Sequence, residues 1–198
     1  MTYEEIISNL ENGMNFSFSR FGDGEFNCMY GKHGANCDGH TYFSDLGARL
    51  EIAWNNPKGV VALQPHAKRI YKIEGDYPDA DVLHKASIRG ELHHFAKAVT
   101  KRNYILVGPN HLKQSGVYDS ERFIEVPLKN AWLSYPDILE EVNRLVKPND
   151  VILYCCGMMA EVLIYDMYAT DITQIDCGSV FDPYVGVKSR NYHHKLKL

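Results

Sequence analysis

Two acids and an arginine stand close together in the stretch "FSFSRFGDGEF". Asp23 and Glu25 are one residue apart, and their carboxylate oxygens are the ligands that Mg²⁺ and Mn²⁺ prefer. Arg20 carries a planar guanidinium that can hold two phosphate oxygens at once. Gly22 and Gly24 permit positive φ angles and a close approach of the backbone to a ligand. These residue types favour a metal and phosphate site, and the alternative is a glycine turn with solvated acids.

The pattern around this stretch predicts the elements that must position it. Phe16, Phe18 and Arg20 alternate with polar residues, which is typical of a strand. Further apolar strands, "NYILVG", "DVILYCC" and "ITQIDC", are separated by helical patterns. Strands that alternate with helices predict an α/β fold of Rossmann-like type, with a mostly parallel sheet and helices on both faces in three layers. Ligands of such sheets bind at the carboxyl ends of the strands.

Three other polar segments follow predicted strands and should share that edge with "GDGE". "GPNH" presents Asn110 and His111, which suit a base, a ribose or a phosphate, or form only a Pro-Asn turn. "CGMM" places Gly157 at a strand-to-helix junction, which can hold a phosphate but more often serves packing. "CGSVFD" brings Asp176 and Asp182 to the last turn, where acids usually cap the backbone. If the sheet is parallel, all four segments lie along one edge.

Residues 27–43 and the C-terminal stretch each have two interpretations. The first is predicted to be a long loop, and its Cys28, His33, Cys37 and His40 offer a zinc site whose spacing is looser than structural zinc usually shows. A polar loop without zinc is the alternative. The C-terminal "KSRNYHHKLKL" is basic and aromatic, so it suits contact with a phosphate or an acceptor, or a loosely ordered tail.

Bulk properties exclude several classes of protein. The 198 residues suit one domain spanning 1–198, and a net charge of −4 gives no field for nucleic acid. No apolar run approaches the roughly 18 residues of a membrane span. The acidic, amphipathic start is unlike a signal peptide, and five cysteines do not form a disulfide framework. We therefore expect a cytoplasmic enzyme or binding domain.

The motifs resemble a known family. "FSFSRFGDGEF" is similar to the Asp-x-Glu signature segment of the GT-D type glycosyltransferases, a group first described as a domain of unknown function. The stretches "YILVGPNHL", "VPLKNAWLSYPDIL", "ILYCCGMMAEVLIYDMY" and "QIDCGSVFD" then follow in the family's order. The resemblance covers most of the chain, and residues 27–90 match least.

This resemblance implies a nucleotide-sugar donor, typically a UDP-hexose, a carbohydrate or other hydroxyl acceptor, and a divalent metal, Mn²⁺ or Mg²⁺, beside the donor diphosphate. Glu25 would bind the metal directly, and Asp23 directly or through water. Arg20 would contact the diphosphate, and Asp182 is the candidate base for an inverting reaction. The implied donor-binding residues are Arg20, Gly22, Gly24, Asn110, His111, Asn130, Trp132 and Gly157. The turn at Gly157 departs from the Gly-Pro-Thr-like turn of the family.

Two other functions use the same residues. A metal-dependent phosphohydrolase or nucleotidase would release phosphate or nucleoside without a sugar acceptor. A catalytically silent nucleotide-sugar-binding domain would bind UDP and metal without turnover. The complete set of Arg20, Asp23 and Glu25 argues against a silent domain. No motif points to a particular sugar, acceptor or oligomeric state.

Overall fold

The fold is built on a six-stranded sheet. This computed structural model describes every residue except 115, 117–119, 197 and 198. All strand pairs are parallel and the order across the sheet is β2-β1-β6-β5-β3-β4. The strands are β1 (Ser17–Phe21), β2 (Val60–Leu63), β3 (Tyr104–Pro109), β4 (Phe123–Val126), β5 (Val151–Tyr154) and β6 (Thr173–Asp176). The predicted parallel sheet is therefore confirmed.

Eight helices lie within the described residues and cover both faces of the sheet. They are α1 (Tyr3–Glu11), α2 (Asp23–Met29), α3 (Ser44–Asn55), α4 (Pro65–Ile70), α5 (Val82–Ile88), α6 (Leu92–Val99), α7 (Tyr135–Leu145) and α8 (Met159–Asp166). On one face α1, α5 and α6 share a core with the strands, and α7 and α8 pack on the other, where α2 and α3 extend the layer. No described helix is long and apolar enough to cross a membrane. The three-layer α/β prediction is confirmed.

Some local predictions hold and others fail. The Thr-x-x-Glu spacing of Thr2 and Glu5 predicts a capping box, and this box forms at the start of α1. Ser44 is of a residue type that favours a helix cap, but it is the first residue of α3, and Phe43 occupies the cap position. Residues 65–88, whose pattern was ambiguous, contain both α4 and α5. These two helices are short, so their apolar periodicity spans too few turns to stand out in the sequence.

The predicted glycine turn of "GDGE" is the first turn of a helix. Asp23 is the first residue of α2, and Gly22 takes its N-cap position with an extended φ of −126°. Neither Gly22 nor Gly24 has a positive φ, so the expected backbone freedom is not what these glycines provide. A Cβ on Gly22 would lie 3.1 Å from Gln64 Oε1 and 3.2 Å from Glu25 Oε2. Gly22 therefore leaves room for the polar ends of Gln64 and Glu25, whereas a Cβ on Gly24 would make only ordinary contacts.

Candidate functional site

A cleft of about 390 Å³ opens at the carboxyl edge of the sheet. Because β1 lies between β2 and β6, the residues that follow these three strands meet there, together with the start of α8. Of the residues predicted for the site, six line the cleft: Arg20, Gly22, Asp23, Gly24, Glu25 and Gly157. This is the edge at which parallel α/β sheets bind ligands.

Arg20 is held in place in the wall of this cleft. Its side chain is 14% exposed, and its Nε donates a hydrogen bond of 2.6 Å to the backbone oxygen of Ala80. Nη1 lies 3.7 Å from Asp176 and Nη2 lies 3.8 Å from Asp81. These two distances exceed hydrogen-bond length, so the fork of the guanidinium is oriented by charge and can still donate to a ligand.

Glu25 stands beside Arg20 with an altered acidity. Its Oε2 accepts a hydrogen bond of 2.7 Å from the backbone N–H of Gly22. Burial raises the pKa of Glu25 to about 7, and the charge of Asp176 adds to the effect, while the Gly22 N–H and Arg20 oppose it. Asp23, in contrast, is exposed at the mouth of the cleft. The two acids of the motif therefore differ in environment.

The raised pKa of Glu25 predicts a stability difference that depends on pH. The carboxyl ionises near pH 4.5 in the unfolded chain and near pH 7 in the folded one. Between these values the folded protein binds a proton that the unfolded chain lacks, so the contribution of Glu25 to stability falls as pH rises. Gln does not titrate, so in Glu25→Gln the contribution of residue 25 to stability does not change with pH. The difference in melting temperature between Glu25→Gln and wild type should increase in favour of the variant from pH 4.5 to pH 7 and then level off. A difference independent of pH would contradict this.

Two more buried acids at the floor of the cleft were not predicted as site residues. Glu161, in the first turn of α8, is 2% exposed, and burial with the nearby charge of Asp176 raises its pKa. Asp176, at the end of β6, accepts a hydrogen bond of 2.8 Å from the N–H of Gly178. Burial raises the pKa of Asp176 and Arg20 opposes this. The sequence did carry a signal, because Glu161 interrupts an apolar helix and Asp176 ends an apolar strand.

Asn110, His111 and Asp182 do not line the cleft, although Gly178 of "CGSVFD" does. His111 Nε2 and Asp182 Oδ1 are 2.9 Å apart, and Ser189 Oγ donates to Asp182 Oδ2. Asn110 Nδ2 donates a hydrogen bond of 2.8 Å to Glu125. For Asn110 and His111 the reason lies in the strand order, because β5 separates β3 from β6. The role of Asp182 as a base stays a prediction, and its contacts hold it against Ser189 and His111.

Asn130 and Trp132 border a separate, smaller cavity of about 10 Å³. The N–H of Asn130 donates to His40 Nδ1 at 3.1 Å, and its Oδ1 accepts from the N–H of Thr41 at 2.8 Å. Trp132 Nε1 donates to Asp45 at 2.9 Å. These contacts fasten the long loop after α2 and the start of α3 to the segment that follows β4. Their role in binding a nucleotide stays a prediction.

The zinc interpretation of the loop finds no support. Cys28 Sγ contacts the backbone oxygen of Phe43 at 3.4 Å, and His40 faces Asn130. Across the described part of the chain, no three His, Cys, Asp or Glu side chains are grouped so that they could hold a metal ion. The cysteines and histidines of this loop face different neighbours.

In the described part of the C-terminal stretch, residues 188–196, Arg190 and Tyr192 pack at the cleft instead of forming a loose tail. Arg190 Nη2 donates a hydrogen bond of 2.6 Å to Asp38, and its Nε donates one of 3.2 Å to Ser179. Arg190 and Tyr192 both line the cleft, as do Asp38 from the long loop and His84 from α5. In the sequence, only the basic and aromatic composition of the C-terminal stretch indicated a position at a ligand site.

Comparisons with known proteins identify the fold. No protein-family model matches this sequence, and no curated protein does. A solved structure described as a highly conserved domain of unknown function 1792 with a distinct glycosyltransferase fold is 18% identical, with 93% of this chain and 79% of that chain covered and a TM-score of 0.69. The chain has the fold of domain of unknown function 1792.

Two further solved structures of this domain agree. A selenomethionine-substituted form is 18% identical, and the alignment covers 93% of this chain and 79% of that one with a TM-score of 0.68. A new glycosyltransferase of this domain from Streptococcus sanguinis is 17% identical, covers 100% of this chain and 87% of its own, and gives a TM-score of 0.70. The resemblance to the GT-D type glycosyltransferases that the sequence motifs indicated is confirmed at the level of the fold.

Proposed function

We propose that this protein is a metal-dependent glycosyltransferase that moves a hexose from a nucleotide sugar, UDP-linked in our proposal, to a hydroxyl acceptor. The observation that carries the proposal is that half-buried Arg20 and the acids Asp23 and Glu25 line one cleft at the carboxyl edge of the sheet. The fold adds support. Of the solved structures with this fold, one is described as having a distinct glycosyltransferase fold and another as a new glycosyltransferase.

Arg20 would bind the donor diphosphate. When the bond between the hexose and the diphosphate breaks, negative charge develops on the diphosphate oxygens. A guanidinium fixed in a partly water-excluded cleft stabilises that charge without reorganising. The hydrogen bond from Nε to Ala80 and the flanking Asp81 and Asp176 fix the guanidinium before any ligand arrives.

Asp23 and Glu25 would hold the divalent metal. Hard carboxylate oxygens suit Mg²⁺ and Mn²⁺, which commonly take one or two carboxylates and complete their coordination with water and substrate phosphates. Burial raises the pKa values of Glu25, Glu161 and Asp176, and the charge of Asp176 raises those of the two glutamates further, so a bound cation would favour the ionised form of these acids. When bound, the metal would supply further electrostatic stabilisation of the leaving diphosphate.

An assay of the products tests the proposed function. The protein is incubated with UDP-glucose, UDP-galactose or UDP-N-acetylglucosamine and Mn²⁺, with water as the slow acceptor, and the products are separated by chromatography. We expect UDP and free hexose from at least one donor, and no inorganic phosphate. Release of phosphate or UMP would instead favour a phosphohydrolase. Binding of UDP with no product from any donor would favour a silent binding domain.

Gly178 gives a second, independent test of the place of Arg20. Its φ is +54°, and a Cβ at this position would overlap Nη1 of Arg20. We expect Gly178→Ala to displace the guanidinium and weaken UDP binding about tenfold, the effect of losing one charged hydrogen bond. The strained φ should also lower stability by about 1 kcal/mol.

A matched control separates the two effects of this substitution. Gly13 has a φ of +68° and nothing within 4 Å of its Cβ position. Gly13→Ala should therefore show a similar loss of stability with no change in UDP affinity, measured by calorimetry. Equal UDP affinity in Gly178→Ala and Gly13→Ala would remove the Arg20 guanidinium from the diphosphate site.

A further inference from the structure

One wall of the cleft is built by α5 and the C-terminal segment. Asp81, His84, Lys85 and Ile88 line the cleft from one side of α5, at a spacing that places them on a single helix face. Tyr192, from a short 3₁₀ helix over residues 191–195, lines the cleft beside them. The rings of His84 and Tyr192 meet edge to face, with centroids 5.4 Å apart and planes at 89°.

Buried polar atoms without a partner concentrate in and behind this wall, where His84 and Tyr192 line the cleft and Ser87 and His193 lie outside its lining. The described residues contain six such side-chain atoms, and four of them are here: His84 Nδ1, Ser87 Oγ, Tyr192 Oη and His193 Nε2. Tyr192 Oη has no partner in hydrogen-bond geometry, although Ser179, which accepts from Arg190, lies close enough to lower the pKa of Tyr192. Each buried polar atom left unpaired costs about 1–3 kcal/mol, and native proteins contain few of them. We call His84, Ser87, Tyr192 and His193 the α5 corner.

The chemistry of the α5 corner suits hydroxyl groups better than ions. Burial, together with the charges of Arg20 and Arg190, lowers the pKa of His84 well below its usual value, so its ring is neutral. A neutral imidazole, a phenol and a serine hydroxyl each donate and accept hydrogen bonds, as a sugar hydroxyl does. A phosphate only accepts, and a metal cation would be repelled by Arg20.

A hydrogen bond from Arg190 determines which ring nitrogen of His193 carries the hydrogen. Its Nδ1 accepts a hydrogen bond of 3.2 Å from the backbone N–H of Arg190, so in the neutral ring Nε2 carries the hydrogen. His193 is 1% exposed, and this Nε2 donor has no acceptor among the described residues. The α5 corner therefore contains a donor as well as groups that can accept.

The α5 corner also adjoins Arg20, which we propose holds the donor diphosphate. A Cβ on Gly178 would meet Nη1 of Arg20 on one side and Cε1 of His84 on the other, at 3.3 Å from the latter. The two side chains are therefore neighbours. The hexose of a nucleotide sugar is bonded directly to the outer phosphate. If Arg20 holds the diphosphate, the hexose has to lie within a few ångströms of this guanidinium.

We propose that the α5 corner binds the hexose of the donor, with His84 and Tyr192 exchanging hydrogen bonds with its hydroxyl groups. This inference rests on the proposed function, because it takes the position of the diphosphate at Arg20 as given. It assigns donor selection to α5 and to the C-terminal segment, and not to the Asp-x-Glu motif.

Calorimetry with UDP, UDP-glucose, UDP-galactose and UDP-N-acetylglucosamine, all with Mn²⁺, tests the inference. The variants are Tyr192→Phe, which removes one hydroxyl and keeps the ring contacts, and His84→Leu. Tyr184→Phe and His93→Leu, at exposed positions, are the matched controls. We expect UDP affinity to stay within about twofold of wild type in both variants. The ratio of two dissociation constants, that of the preferred UDP-hexose over that of UDP, should rise about tenfold, as for one lost hydrogen bond.

The outcomes separate this inference from the function on which it rests. Failure of the wild type to bind UDP would overturn the proposed function and the inference with it. Wild type that binds UDP but no UDP-hexose, an unchanged ratio in both variants, or UDP affinity that falls in parallel with that of the UDP-hexose, would each overturn the inference alone. Melting without ligand reports folding, and Tyr192→Phe keeps the test readable if His84→Leu does not fold.

Discussion

Glu25→Gln is expected to abolish metal-dependent binding of UDP and leave the fold intact. Gln preserves the size of the side chain and an oxygen that can accept from the Gly22 N–H, but it removes the negative charge that a hard cation prefers. Calorimetry of UDP with Mn²⁺ should show a loss of affinity of at least about a hundredfold, or about 2.7 kcal/mol. Melting without ligand should show equal or higher stability, because one of several close carboxylates no longer carries a charge.

A surface glutamate provides the control for this variant. Glu140 is exposed on α7, outside the cleft lining, so Glu140→Gln should bind UDP and Mn²⁺ as wild type does. Equal affinities in wild type, Glu140→Gln and Glu25→Gln would mean that "GDGE" only begins a helix. Unfolding of Glu25→Gln without ligand would instead assign Glu25 a structural role through its bond to Gly22.

Arg20→Lys is expected to have the second largest effect. Lys keeps the positive charge but loses both the fork that can hold a diphosphate and the Nε–H that donates to Ala80. We expect UDP affinity to fall by roughly ten- to a hundredfold, the loss associated with charged hydrogen bonds of about 1.5–3 kcal/mol. Arg89, which pairs with Glu91 at the surface, gives the control Arg89→Lys. Unchanged UDP affinity in Arg20→Lys would remove Arg20 from the site.

The parallel sheet and its ligand-binding edge were predictable because their signals are local. Apolar runs such as "DVILYCC" indicate strands covered on both faces, and the helical stretches between them require parallel connections. Thr2 and Glu5, which are three residues apart and form a capping box, likewise indicate the start of α1. Arg20, Asp23 and Glu25 could be placed at one edge because all three follow or end a single strand.

The lateral order of the strands was not predictable from the same signals. It places β6 beside β1, which brings Asp176 next to Arg20, and puts β5 between β6 and β3, which keeps Asn110 and His111 out of the cleft. Strand order depends on contacts between residues far apart in the chain, and hydrophobic periodicity does not record them. The same reason explains why Asp176 was taken only for a turn acid.

The remaining residues of the cleft come from segments with poor sequence patterns. His84 belongs to a helix of seven residues in a region without clear periodicity, and Tyr192 belongs to a stretch whose composition left ligand contact and a loose tail both open. Tyr192 packs against His84 of α5, and the nearby Arg190 is held by Ser179 and Asp38. Short elements of this kind are stabilised by such packing and not by their own propensity.

A crystal structure of the wild-type protein with UDP and Mn²⁺ tests the central claim most directly. The account predicts one UDP in the cleft at the carboxyl ends of β1 and β6, with its diphosphate against Arg20 and a metal ion bound by Glu25. The outer phosphate should point toward His84 and Tyr192. UDP bound outside this cleft, or a diphosphate in the cleft that contacts neither Arg20 nor a metal on Glu25, would contradict the account.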